Sequence, residues 1–346
     1  MFKTSKRDQR LRIMRAWLAN IAFVLAMCLL GRGFGESGKE CLTSELTGRM
    51  GNLMFQHASI MGICTARGLD YKSCAHISNS GWNTWDLPIK EFIQSFNLPL
   101  ESAATCQIAR KRYYREKSFV YDPNILSVQF GTTIQGWLQS WKYFHPHAQK
   151  TIKSLYTVSG FQAHKAENFI MNIRKHVPHD FKIIGVHVRV GDKLNNTQNA
   201  HFYDQWALSE DYYSKAIALL TARHPRSALV IFSGGGENKD SLTKDRHWAK
   251  SKFGGLSNHT YFDHSEDHFI AFKALTLCDS IVVAHSTFSW WAAYLSNTLE
   301  IVAPYHIFSA AAEITEGYKM EDYYPPWWSV ISKNSSEDRI IGYNPL

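Results

Sequence analysis

From Phe181 onward, short apolar runs alternate with amphipathic stretches at a regular spacing. Ile183 to Val188, Ala228 to Phe232, Ser280 to Ala284 and Leu299 to Ala303 are rich in aliphatic residues and predict buried strands. Between them, Ser209 to Arg223, Asp240 to Lys250, Ser265 to Leu277 and Phe288 to Ser296 carry helical spacing. Strands separated by helices form βαβ units, so this half is predicted to be α/β with a parallel sheet. Before Pro178 the pattern is less regular, and folded structure is expected to begin at Leu46. A glycine turn, Gly48-Arg49-Met50-Gly51-Asn52, precedes a helical stretch from Leu53 to Arg67. The strand-like Thr132 to Gln135 runs into Gly136 to Phe144, which is aromatic and polar by turns.

Charge changes this picture only at the amino terminus. The net charge is +8, and six basic residues against Asp8 within the first fifteen positions supply +5 of it. The remainder carries too little excess charge for a nucleic-acid partner. The basic cluster precedes Ala16 to Leu30, an apolar run in which Asn20 is the one clearly polar residue. This pattern predicts a membrane-targeting segment, lengthened by Ile13 and Met14 if Arg15 snorkels to the headgroups. A cleaved signal peptide is the alternative, but a small-x-small cleavage pattern is weak around Cys28 to Gly31. The expected layout is a cytosolic tail over 1–12, a signal anchor over 13–31 and a stem over 32–45. Either version sends the rest of the chain into the secretory lumen. Sequons at Asn195, Asn258 and Asn334 agree with that address, and the five cysteines after Cys28 leave at least one unpaired or bridging chains.

Candidate chemistry sits at the carboxyl ends of the predicted strands. The first strand ends in His187-Val188-Arg189-Val190-Gly191-Asp192. Arginine can clamp phosphate oxygens through a bidentate fork, and ligands of open α/β sheets bind beyond the strand ends. The same residues also fit an ordinary strand end with a structural Arg-Asp pair. Asp192 can orient the arginine, cap the next element or act as a base. Ser286, Thr287 and Ser289, where a strand gives way to a helix, can meet an anion or cap the helix. Asp267 opens another helix, as a cap or as a partner for a ligand's ring nitrogens. No Asp-x-Asp pair or Gly-x-Ser-x-Gly elbow occurs, and His145-Pro146-His147 has no third ligand nearby in sequence. No metal is expected.

Four segments together resemble the galactoside α-1,2-fucosyltransferase family: GRMGNLMFQHA from Gly48, IQGWLQSWKYF from Ile134, GVHVRVGD from Gly185 and HSTFSWWAAYL from His285. The resemblance covers about residues 46 to 310. It implies a GT-B-like α/β fold of two Rossmann-like lobes, an acceptor-side lobe over 46–178 and a donor lobe over 179–346 with the parallel sheet. It further implies inverting transfer of L-fucose from GDP-fucose to the 2-hydroxyl of a terminal galactose on a glycan, without a cofactor or metal, in a single-pass type II protein of the Golgi membrane. Arg189 would hold the diphosphate, His187 and Asp267 would address guanine, and Thr287 and Ser289 would contact phosphate, with Ser286 and Asn52 beside them. Asp192 is the candidate base. Where many relatives carry an Asp pair, this chain has Ser233-Gly234-Gly235-Gly236. The alternatives are a fucosyltransferase of another linkage, O-linked or N-glycan core, and an inactive glycan-binding luminal protein.

Overall fold

The computed structural model describes residues 41–78, 87–96, 98, 112–190, 208–234, 239–305, 318–331 and 340–341. The tail and anchor expected over 1–31 lie outside the described residues, as do Asp192, Asn195 and Asn334. Among the described residues, no helix is long and apolar enough to cross a membrane. Asn258 is described and exposed.

Among the described residues the first half carries four strands, β1 (Leu42–Glu45), β2 (Ala75–Ser78), β3 (Arg112–Arg115) and β4 (Thr132–Gln135). Their order is β2-β1-β4-β3, and every pair is parallel. β1 lies within the expected stem, so folded structure begins earlier than Leu46. Leu42, Thr43 and Ser44 are buried between two neighbouring strands. A four-residue strand with one aliphatic side chain has no readable alternation, and its burial comes entirely from its neighbours. Helix α1 (Met50–Ala66) follows it and is almost wholly buried. A disulfide from Cys64 to Cys74 ties the end of α1 to the short α2 (Tyr71–Cys74). Helices α3 (Leu87–Ser95), α4 (His145–Leu155) and α5 (Gly160–His176) complete this half.

The second half carries β5 (Lys182–Val188), β6 (Ser227–Ser233), β7 (Thr260–Phe262), β8 (Ser280–Val282), β9 (Ile301–Pro304), β10 (Ser329–Ile331) and β11 (Ile340–Ile341). The order is β11-β10-β9-β8-β5-β6-β7, parallel except for the β10 and β11 pair. Helices α6 (Glu210–Arg223), α7 (Lys239–Phe253), α8 (His268–Thr276), α9 (Thr287–Leu295) and α10 (Met320–Tyr323) connect or flank the strands. The predicted strands and helices of this half are therefore present, with ends shifted by a few residues. β7 was not predicted, because its three residues are half-buried at the sheet's edge and follow a polar loop.

Each expected half has its own parallel sheet, which is the two-sheet α/β arrangement anticipated, and both lie in one compact unit from Cys41 to Leu346. An aromatic cluster joins them. Phe55 of α1 packs 4.4 Å from Trp290 and 5.1 Å from Trp291 of α9, while Phe144 stacks on Trp291 at 5.2 Å. The chain also returns on itself, since Ser140 Oγ donates to the Asp322 carbonyl and Lys142 Nζ reaches the Asp322 carboxylate at 2.5 Å. The aromatic residues of three of the sequence motifs thus serve to hold the halves together.

Candidate active site

β5 is the point at which the second sheet changes direction, with β6 and β7 on one side and β8 and β9 on the other. The loops leaving its two flanks diverge there and open a crevice, the usual ligand position in such sheets. A cleft of about 520 Å³ occupies it. His187 and Arg189 after β5, Ser233 and Gly234 after β6, Asp263 and Ser265 after β7, and Ser286 and Thr287 after β8 all line this cleft. Arg49, Met50 and Gly51 line it from the first half.

Arg189 is half-buried, and its Nη1 lies 3.4 Å from Ser286 Oγ, across the switch point. The backbone just after it is pinned, because the Val190 amide donates to Asp245 Oδ1 at 2.5 Å. Asp245 is fully buried on α7. A buried carboxylate bonded to an amide is a strong, directional tether, so the arginine extends from a fixed base. His187 Nε2 donates to the Gly234 carbonyl at 3.2 Å, which sets the ring tautomer, and its ring packs 5.1 Å from that of Phe288. Three guanidinium groups, Arg49, Arg189 and Arg246, line one cleft, and Arg246 Nη2 is anchored on the Ser265 carbonyl at 2.9 Å. Glu91, Asp263 and Glu266 line the same cleft, so the positive charge is local, and the guanidinium forks of Arg189 and Arg246 are the groups suited to an anionic ligand with more than one charge.

Of the three carboxylates lining this cleft among the described residues, Glu91, Asp263 and Glu266, Asp263 is the buried one, at 5 % exposure. Burial pushes its carboxyl up, against the pull of the Ser265 amide and of Arg246. Asp267, read from the sequence as a helix cap or as a partner for a ligand's ring nitrogens, takes the first role: it caps α8 by accepting the Phe269 amide at 2.8 Å and is not among the residues lining the cleft. Ser289 is likewise turned away. It is fully buried, takes the Ala284 amide at 3.1 Å and donates to the Ser286 carbonyl at 3.2 Å. It locks the loop that presents Ser286 and Thr287. Asn52 stands one step behind the cleft, with Oδ1 accepting from Thr287 Oγ1 at 3.1 Å and from Gln139 Nε2 at 3.0 Å. Asp263 left no signal beyond being a carboxylate after a short polar stretch, which is too common to single out. Among the described residues, no group of three or more His, Cys, Asp or Glu side chains could hold a metal ion.

Gly51 shows why the glycine-rich motif is needed. A Cβ there would lie 2.5 Å from Thr287 Oγ1 and 2.6 Å from the Thr287 carbonyl carbon. Backbone cannot give way as a flexible side chain can. Gly51→Ala is therefore expected to destabilise the protein by about 1–3 kcal/mol, the usual range for overpacking, as read by urea unfolding. Unchanged stability would mean that α1 and α9 do not approach this closely.

The profile of glycosyl transferase family 11 matches residues 12–332. The chain belongs to that family. The expectation of a glycosyltransferase holds at family level. Among individual relatives, galactoside alpha-(1,2)-fucosyltransferase 1 of Alouatta belzebul is 26% identical over 212 residues, covering 59% of this chain and 53% of its own. The O-antigen biosynthesis glycosyltransferase WbnK of Escherichia coli is 30% identical over 124 residues, 34% of this chain and 37% of its own. This family 11 chain thus aligns with about a third to a half of the length of these relatives. The crystal structure of POFUT1 in complex with GDP covers 76% of this chain and 96% of its own, at 10% identity and a TM-score of 0.43. That similarity is too distant to transfer any residue.

Proposed function

We propose that this family 11 protein transfers L-fucose from GDP-fucose to the 2-hydroxyl of a terminal galactose on a glycan, with inversion at the anomeric carbon. The observation that carries the proposal is Arg189 at the switch point of the donor-side sheet, with Arg49 and Arg246 in the same cleft. Departure of GDP leaves negative charge on the diphosphate while the sugar becomes oxocarbenium-like. Preorganised arginines stabilise that charge most at the transition state, which is where stabilisation accelerates the reaction. Arg189 holds the diphosphate, with Ser286 offering its hydroxyl to an oxygen at the start of α9 and Thr287 held beside it by its bond to Asn52. His187 and Asp263 address the base, because a buried carboxylate suits the paired N–H donors of guanine. The names of the galactoside α-(1,2)-fucosyltransferase relatives support fucosyl transfer, a galactoside acceptor and the linkage.

In this reading the arginines do the work a metal does elsewhere, and transfer is metal-independent. The protein is a single-pass type II protein of the Golgi membrane with its catalytic part in the lumen. The apolar stretch over 13–31 and the Cys64–Cys74 disulfide support this, since disulfides persist in oxidising compartments.

The test is incubation of the full chain with GDP-fucose and methyl β-galactoside, with and without EDTA, followed by linkage analysis of the product. The expected result is an α-1,2-linked fucoside formed equally well in EDTA. A product of another linkage rejects the proposed acceptor position, loss of activity in EDTA rejects the metal-free mechanism, and no transfer rejects the assignment.

A further inference from the structure

The carboxyl ends of the first sheet border the donor cleft and carry a second group of chemically distinctive residues. β1 leads directly into Arg49, Met50 and Gly51, which line the cleft. Its neighbour β4 ends at the same rim, where Gln135 Nε2 donates to Glu45 Oε2 at 2.7 Å. β3 lies beyond β4 and ends at Arg115, followed by Glu116, whose amide donates to the Gln135 carbonyl at 2.8 Å. Two strand spacings separate β3 from β1, or about 10 Å.

Glu116 is built into the turn that leaves β4. Its Oε2 accepts the amides of Trp137 at 2.7 Å and Leu138 at 3.1 Å. Leu138 adopts φ +51, a conformation that non-glycine residues rarely take and that marks functional sites more often than chance. A Cβ on Gly136 would lie 2.6 Å from Glu116 Oε2, so only glycine admits the carboxylate. The turn presents Trp137 outward at 36% exposure, one of few large aromatic side chains at the surface among the described residues. Two residues further on, Gln139 is bonded to Asn52 and through it to Thr287, which lines the donor cleft.

We propose that Glu116 and Trp137 form the sugar-binding subsite for the acceptor glycan. Trp137 stacks against an apolar ring face, and Glu116 accepts hydrogen bonds from ring hydroxyls. This rests on the glycosyltransferase reading of the cleft. A flat aromatic surface beside a fixed hydrogen-bond acceptor is the pairing that a sugar, apolar on its faces and hydroxylated at its edge, requires.

A structural clamp alone does not need the charge. Burial pushes the Glu116 carboxyl up from 4.5 to about 7, while the Leu138 and Trp137 amides pull it down. The titratable groups that feel it are the hydroxyls of Tyr114 and Tyr143, themselves held neutral by burial. A carboxyl raised in the folded state contributes stability below 4.5 that is lost as pH rises through 7. Ionised Glu116 is therefore a cost to folding at neutral pH, and a neutral amide accepts the same two backbone bonds. Groups retained at such a cost cluster at functional sites.

The experiment measures the acceptor KM for methyl β-galactoside, GDP affinity by calorimetry, and Tm at pH 5 and pH 8, in wild type, Glu116→Gln and Trp137→Ala. The expected result is a rise in acceptor KM of about tenfold or more in both variants, with GDP affinity within about twofold of wild type and Glu116→Gln at least as stable as wild type at pH 8. Unchanged acceptor KM in both variants overturns the proposal. So does a parallel fall of Tm and GDP affinity, which is the signature of a clamp. A wild type that does not bind GDP refutes the donor reading, and the acceptor subsite falls with it.

Discussion

Replacing Arg189 by alanine lowers kcat/KM for sugar transfer by about two to three orders of magnitude, the usual loss for one preorganised donor at a developing charge. The size follows from geometry. Arg189 leaves the end of β5 at the switch point, and its backbone is held by the Val190 bond to buried Asp245. In the proposed donor reading it would therefore meet the diphosphate without having to be ordered first. Arg49 and Arg246 remain in the cleft, so on the same reading GDP affinity is expected to fall less than kcat does. Arg189→Lys recovers only part of the rate, because an ammonium keeps the charge and loses the planar fork. Steady-state kinetics of both variants, with Tm as a check on folding, tests this. A kcat within about threefold of wild type in the alanine variant would remove Arg189 from the mechanism.

Trp290→Ala is expected to be the most destabilising of the motif substitutions, at about 3–5 kcal/mol. Trp290 is fully buried, with Phe55 at 4.4 Å, Tyr294 stacked at 5.2 Å and Trp328 at 5.3 Å. Its Nε1 donates to the Tyr323 carbonyl at 3.0 Å, so truncation also strands a buried acceptor. A loss of this size is a large part of the roughly 5–15 kcal/mol that holds a protein folded. Because these rings come from α1, α9 and the carboxyl-terminal segment, both halves should loosen together. Urea unfolding read by near-UV dichroism measures the effect, and Trp290→Phe should retain part of the lost stability. A loss below about 1 kcal/mol would show that this cluster does not join the halves.

The motif HSTFSWWAAYL illustrates how much of the site was readable. Its three aliphatic hydroxyls, on Ser286, Thr287 and Ser289, are alike in sequence as candidates for meeting an anion or capping the helix, and the two tryptophans beside them carry no assigned role. The structure divides them by helix face and depth: Ser286 and Thr287 reach the cleft, whereas Ser289, Trp290 and Trp291 are buried in the interior. A residue type marks chemistry only once its direction is known. Asp263 and Asp267 make the same point for carboxylates. They are four positions apart, and one is a cleft residue while the other caps a helix. What separates them is β7, three residues long and half-buried, which places Asp263 at a strand end.

The alternation of strands and helices after Phe181, and the arginine at the end of the strand that became β5, were determined by the sequence itself. Both depend on interactions among neighbours in the chain: burial periodicity, helix spacing and the alternation of strand and turn. The meeting of Gly51 with Thr287, the Asn52 bridge across 235 positions and the return of Asp322 to Ser140 and Lys142 were decided only by tertiary structure. No local preference encodes contacts at such separation. They form when the faces of α1 and α9 pack around shared aromatic rings, and burial of that surface offsets the entropy of closing the long loops between them.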